Sequence, residues 1–309
     1  MLAAVLAHKI AAQNKGPMQM QRKMQRVGII TMPPNDVPGA ASYIPLSVIN
    51  WFRDAGIQIV PISYRLRPRD VPATFQHLNG LFLQGGPTYV KSYMRLASLF
   101  LKEAIAANAA GDHFPVWGTC HGFQLILKEF GAQWPLTSVD SMVWSAPLKI
   151  QEAGRMPIPA AASATVEFSH QHGITAAQFN SVTDLKDSFR ILATAVDRRG
   201  QEYIAAIEHK KQPIYGVQFH PEQTSGSGPG PGSGWSPAFF KAELEKSTHQ
   251  GALPKGAIIK SATRTRCSSE WAPYHTNLQP PTCLRFRRTL KGIRSKSHPT
   301  KKRRRGSKD

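Results

Sequence analysis

The sequence predicts an α/β fold, a mainly parallel central sheet with helices on both faces, and three observations predict it. Short apolar, β-rich runs alternate with helical stretches through the first 130 residues, the pattern of parallel strands joined by crossover helices. Loops bearing glycine or proline follow directly on several of those runs, and sites in such sheets lie at the carboxyl ends of the strands. A chain of 309 residues with 41% apolar content is also long enough to bury a core of that size.

Val27 to Thr31 is a short apolar run closed by Met32-Pro33-Pro34 and reads as a buried strand entering a loop. Ser42 stands before a helical pattern over 43–55, with Ile44, Val48, Ile49 and Phe52 on one face and Gly56 beyond, so Ser42 is expected as its N-cap. Ile57 to Ile62 is the next strand, and Leu81 to Leu83 runs as another into Gly85-Gly86. Tyr93 to Ala110 predicts a long helix ended by Gly111. Pro115 to Trp117 is a fourth strand, opening onto Gly118 to Gly122 and a helical stretch over 123–130. Farther on, 164–168, 191–196, 203–207 and 214–219 are alternating or apolar runs separated by turn residues and read as strands. The Gly/Pro/Ser stretch 225–234 predicts a flexible loop, and 237–247 a last short helix. No internal repeat is evident.

The formal charge of +20 points at first to a polyanionic partner. Its distribution removes that implication for the body. Residues 1–26 hold five basic residues and no acid, and 250–309 hold sixteen basic residues against Glu270 and Asp309, leaving 18 basic and 17 acidic residues in 27–249. Domain boundaries are therefore expected near 27 and 249: a basic N-terminal extension, disordered or targeting, a nearly neutral body, and a basic, disordered tail. The run Lys301 to Arg305 is read as solvated, with nucleic-acid contact or nuclear targeting as the alternative.

Three cysteines, Cys120, Cys267 and Cys283, are too few and scattered for a disulfide framework. Cys267, His275, Cys283 and His298 have no ligand-pair spacing, so neither a metal nor a cofactor is expected. No apolar run approaches the roughly 20 residues that cross a bilayer, and Met1 to Ala7 is too short for a secretory signal.

Gly118-Thr119-Cys120-His121-Gly122 places a cysteine between small residues at ±2, at a strand-to-helix junction. This is the spacing of a nucleophile elbow. The glycines permit a sharp turn that presents the thiol at the sheet edge, and the helix N-terminus there favours thiolate. The amide of the following residue, His121, points where an oxyanion would form. Among the histidines of the body, His220 is the informative one, because it stands at the end of a predicted strand with Glu222 two residues on. Residues i and i+2 of an extended segment point the same way, so Glu222 can orient and charge-stabilise the ring as the third member of a triad.

The blocks 114–124 and 213–222, with 80–86, 112–117 and 168–174, resemble the class I glutamine amidotransferase-like superfamily, and within it the gamma-glutamyl hydrolases most. The resemblance covers about Arg26 to Glu222. It implies a flavodoxin-like three-layer fold in which Cys120 is the nucleophile, His220 the base and then the acid, and Glu222 the orienting residue. It further implies oxyanion-hole amides at Gly86 and His121, and substrate contacts at His170 and Gly85. Two departures stand out: His121 replaces a usual aliphatic residue, and the 225–234 stretch replaces a Trp-containing loop before a long C-terminal helix.

The residues support acyl transfer through a thioester, and the resemblance implies folylpoly-gamma-glutamate as substrate and a vacuolar, lysosomal or secreted location. A homodimer is compatible with this reading. Arg65, Arg67 and Arg69 in the loop 64–70 have the chemistry to bind the tail's carboxylates, though a solvated loop is the favoured reading. Two other functions compete: an amidotransferase subunit that releases ammonia from glutamine, and an inactive relic whose basic tail binds nucleic acid.

Overall fold

The computed structural model describes residues 24–33, 42–86, 90–134, 136–158, 165–223 and 237–252, and the backbone alone of 263–266 and 282–286. The central sheet has five parallel strands side by side, β3 (Gln58–Ile62), β1 (Arg26–Ile30), β4 (Gly80–Leu83), β5 (Val116–Thr119) and β11 (Ile214–Val217). It continues antiparallel through β10 (Glu202–His209), β9 (Phe189–Val196) and β7 (Lys149–Ile150). This is the α/β architecture that the sequence predicts. The parallel strands are almost wholly apolar because both their faces are covered.

On one face lie α2 (Val71–Phe75), α3 (Lys91–Ala109), α4 (His121–Glu129), α5 (Ala176–Ser181) and α6 (Thr183–Ser188), packed through Phe75, Phe100, Phe123, Phe179 and Leu185. On the other lie α1 (Leu46–Asp54) and α7 (Ala238–Glu245), packed through Phe52 and Phe240. They are joined there by an antiparallel ribbon of β6 (Thr137–Pro147) and β8 (Thr165–Gly173). Burying a ring such as Phe52 or Phe123 contributes about 2–3 kcal/mol. An exposed pair such as Arg53–Asp54 adds about 1 kcal/mol at most, so the two apolar layers hold the helices to the sheet.

Most elements fall where the sequence puts them, and the differences have local causes. The helix expected over 43–55 begins at Leu46, and Ser42–Pro45 is instead a strand, β2. Proline at 45 drives Ile44 into extended backbone, so Ser42 is no N-cap, and no side chain caps α1. The strand expected over 214–219 ends at Val217, and that expected over 164–168 runs on to Gly173. β6 is absent from the sequence reading.

In the basic segment 250–309, β12 (Thr263–Arg266) pairs with β13 (Thr282–Phe286), and β13 pairs antiparallel with β2, a return to the body that composition does not predict. The body also reaches past its charge boundary. His249 lies 2.8 Å from Asp112 Oδ2, and the carbonyl of Gly251 accepts from Arg26. Residues 1–23, the stretch 225–234, and the side chains of Cys267, His275, Cys283, His298 and Lys301 to Arg305 lie outside the described residues. Among the described residues, no helix is long and apolar enough to cross a membrane.

Candidate active site

β4, β5 and β11 are neighbours, and their registers pair Leu83 with Gly118 and Val217 with Thr119. They therefore end nearly level, and the next residues of each, Gly85-Gly86, Cys120 and His220, are delivered to one edge. The amide of Cys120 still donates to the carbonyl of Val217, at 2.8 Å. Beyond that bond the chain turns at once into α4.

Cys120 takes φ 53° and ψ −107°, left-handed backbone that a residue with a Cβ adopts at a cost of about 1–3 kcal/mol. The flanking glycines make the turn possible. A Cβ at Gly118 would stand 2.6 Å from the carbonyl oxygen of Gly122, and one at Gly122 would run into the carbonyl of Leu83. The motif is thus a packing requirement between α4 and the edge of the sheet. Cys120 is buried, with Sγ 3.8 Å from the carbonyl of Ser169 on β8.

His220 follows β11, its amide donating to Glu167 O of β8 at 3.0 Å. Its Nδ1 lies 2.7 Å from Glu222 Oε1, so Nδ1–H donates to the carboxylate, and both groups are buried. Burial opposes protonation of the ring, but the Glu222 carboxylate, and after it Cys120, outweigh that and hold its pKa well above 6.5. Nε2 is buried and makes no hydrogen bond of ordinary geometry. Gly85 fits between the two groups: a Cβ there would stand 2.6 Å from Cε1 of His220 and 3.1 Å from Cβ of Cys120. The structure thus brings Cys120, His220 and Glu222 together and sets Gly85 against them.

Gly86 has φ +140°, which favours glycine, and sits under the end of the Met32 side chain. His121 opens α4, so its amide is among the N–H groups that lack an intrahelical acceptor.

His170 is on β8, packed edge-on against Phe168 and Tyr203, with its ring centroid 5.0 Å from that of Tyr203. Burial, opposed by its hydrogen bond to the carbonyl of His172 and aided by the nearby His220, pushes its pKa down to about 3. It is therefore neutral, with Nδ1–H on His172 O at 3.0 Å and Nε2 unpartnered. Tyr203 Oη in turn lies 3.1 Å from Ser141 Oγ of β6.

The loop 64–70 is committed differently. Arg67 pairs with Asp70 at 2.7 Å, and Arg65 Nε donates to Tyr64 Oη at 2.7 Å. Other histidines of the body are engaged elsewhere, His113 with Glu243 and His209 with the amides of Lys211 and Gln212. Among the described residues, no three His, Cys, Asp or Glu side chains gather as a metal site.

The sequence reading missed β8 as a wall of the site. Glu167 and Ser169 act through main-chain carbonyls, which carry no residue-type signal. It also missed Gln124 and Gln218, whose side chains meet at 3.3 Å below the site. A glutamine one turn after Cys120, on a helix otherwise buried and mostly apolar, is the signal that could have found the first.

Three comparisons bear on this geometry. The family model for glutamine amidotransferase class-I matches residues 47–230. The chain is 32% identical over 197 residues to the gamma-glutamyl hydrolase of Mus musculus, a match covering 59% of this chain and 62% of that protein. It is 30% identical over 231 residues to the gamma-glutamyl hydrolase of Bos taurus, covering 67% and 72%. It thus spans about six tenths of the length of the mouse relative. The solved structure of a GMP synthase-type protein of Thermoplasma acidophilum superposes with a TM-score of 0.51 at 16% identity, covering 72% of this chain and 94% of that one; the likeness is one of fold.

Proposed function

The chain belongs to the glutamine amidotransferase class-I family and groups by sequence with its gamma-glutamyl hydrolases, and from that premise we propose that it is a cysteine hydrolase of gamma-glutamyl bonds, acting on folylpoly-gamma-glutamates. The observation that carries the reading is the strained, buried Cys120 beside a His220 that Glu222 holds at 2.7 Å.

In this reading the thiolate of Cys120 attacks the γ-carbonyl carbon of a glutamyl amide. The oxyanion is held by the amides of Gly86 and His121. His220 gives its proton to the departing nitrogen as the C–N bond breaks, leaving a thioester and a free amine. Water then attacks the thioester, His220 takes a proton from it, and the γ-carboxylic acid is released as the Cys120 thiolate and protonated His220 are restored. Glu222 keeps Nδ1 protonated so that Nε2 is the nitrogen that works. His170 and Gly85 border the acyl group.

The test is to supply the protein separately with glutamine and with a pteroyl-poly-γ-glutamate, following ammonia and shortened folates. The reading expects shortened folates. Ammonia from glutamine with no folate cleavage would identify an amidotransferase subunit instead.

A further inference from the structure

The short strand β2 is used from both sides. On one side the amide of Met32 donates to Tyr43 O at 2.8 Å, and the amide of Tyr43 donates to Met32 O at 3.1 Å. A residue that exchanges both bonds with one antiparallel neighbour turns its N–H and C=O to that side, and the residues before and after it turn theirs to the other. Ser42 and Ile44 therefore present their main-chain groups to the opposite side, where the register of β13 sets Phe286 against Ser42 and Leu284 against Ile44. Pro45, which has no N–H to give, falls opposite Cys283, a position at which no ladder bond is due.

The side chain of Met32 carries this pairing to the catalytic edge. It is buried, and its end rests on Gly86, where a Cβ would stand 2.8 Å from Sδ. Gly86 has φ +140°, backbone that glycine holds without steric cost but also leaves easily, since it has the most conformational freedom to regain. Its amide keeps one direction only where the surroundings fix it, and the thioether is one of those surroundings.

We infer that β13, in the basic segment, is a positioning element of the site: by pairing with β2 it steadies the Met32–Tyr43 bridge, and through Met32 it keeps the Gly86 amide aimed at the oxyanion. The chain of contact runs from β13 to β2, to Met32 and to Gly86, and its first two links are main-chain hydrogen bonds. This rests on the proposed hydrolase reading for what the Gly86 amide does, but not for the pairing or for the hold on Gly86. It gives residues of 250–309 a part in the reaction, which the composition of that segment offers no reason to expect.

The experiment is Leu284→Pro in the whole chain, which removes the N–H that faces Ile44 and sets a ring in the ladder. Its readouts are kcat and KM on pteroyl-di-γ-glutamate. kcat should fall about tenfold, short of the roughly hundredfold that loss of an entire oxyanion donor costs. KM should stay within about twofold, because the oxyanion exists only in the transition state and the intermediate. In a Met32→Ala background, where the contact with Gly86 is already gone, Leu284→Pro should change kcat less than about twofold. An unchanged kcat in Leu284→Pro, or losses that multiply in the double variant, overturns the inference.

Should the parent cleave no γ-glutamyl substrate, the hydrolase reading fails, and the pairing and the hold on Gly86 are still tested by amide resonances. In the parent the amides of Ser42 and Ile44 should be protected from exchange with solvent. Leu284→Pro should release Ile44 and move the resonance of the Gly86 amide. Free exchange at both positions in the parent, or a Gly86 resonance that Leu284→Pro leaves in place, overturns the inference. If Leu284→Pro does not fold, Phe286→Pro, which removes only the donor facing Ser42 at the strand's end, replaces it. The same changes at smaller size are then expected, and their absence counts against the inference.

Discussion

Replacing Gly85 by alanine tests the geometry between nucleophile and base with a single methyl group. The backbone of Gly85 is not among the positive-φ positions, so alanine meets no conformational penalty there and the perturbation is one of space. Its Cβ would stand 2.6 Å from Cε1 of His220 and 3.1 Å from Cβ of Cys120, where carbon atoms settle at about 3.5 Å. Relief of the closer contact moves the imidazole by about 0.9 Å. That motion shifts the imidazole relative to Cys120 and strains the 2.7 Å bond to Glu222. A misplacement of about 1 Å at reacting groups costs about a hundredfold in rate, while overpacking one methyl costs about 1–3 kcal/mol of stability. The assay pairs kcat/KM on a pteroyl-poly-γ-glutamate with a thermal melt. The expected result is a cooperative melt lowered by roughly 2–10 °C and activity reduced about a hundredfold. An alanine variant that keeps its activity within threefold would show that catalysis does not depend on the close approach of Gly85 to Cys120 and His220.

Glu222→Gln should lower kcat by about a hundredfold or more. Because the carboxylate holds the pKa of His220 up, the limb of the pH–rate profile set by that ring should move to lower pH; an unmoved limb argues against the pairing. His170 is neutral in the fold, with a pKa pushed from 6.5 to about 3. As pH falls between those values the unfolded chain takes up a proton that the native site refuses, so native stability declines. Urea melts from pH 7 to 4 should show that decline shrinking in His170→Asn, and equal slopes would contradict the burial argument. Gly122→Ala drives a Cβ into the carbonyl of Leu83, a backbone contact that cannot swing aside. A loss of roughly 3 kcal/mol or more is expected, and a wild-type melting temperature would refute the close packing of α4 on β4.

The parts of the site that were legible in the sequence are those whose reason is local. Gly118 and Gly122 announce the elbow because a helix cannot approach β4 there with a Cβ in the way. His220 and Glu222 are i and i+2 at the end of an apolar strand, and one hydrogen bond joins them as that spacing implies. β6 was illegible because its alternation is broken: its pairing with β8 shifts register twice, and Val143, within the second shift, has φ 46°. The polar pairs that reach across the chain left no mark in any window, as with Asp112 and His249, 137 residues apart. Ser42 misled because its capping chemistry is real and Pro45 overrules it. His170 was found by resemblance alone, since its burial and tautomer depend on Tyr203 and His172.

The claim on which the rest depends is that Cys120 forms the bond to the γ-glutamyl carbon. A γ-glutamyl diazoketone, incubated with the protein and followed by intact mass and peptide mapping, tests it directly. One adduct per chain, on the peptide carrying Cys120, with hydrolysis lost in proportion and no labelling in Cys120→Ala, is the predicted result. Labelling elsewhere, or a Cys120→Ala protein that still cleaves the substrate, would contradict the account.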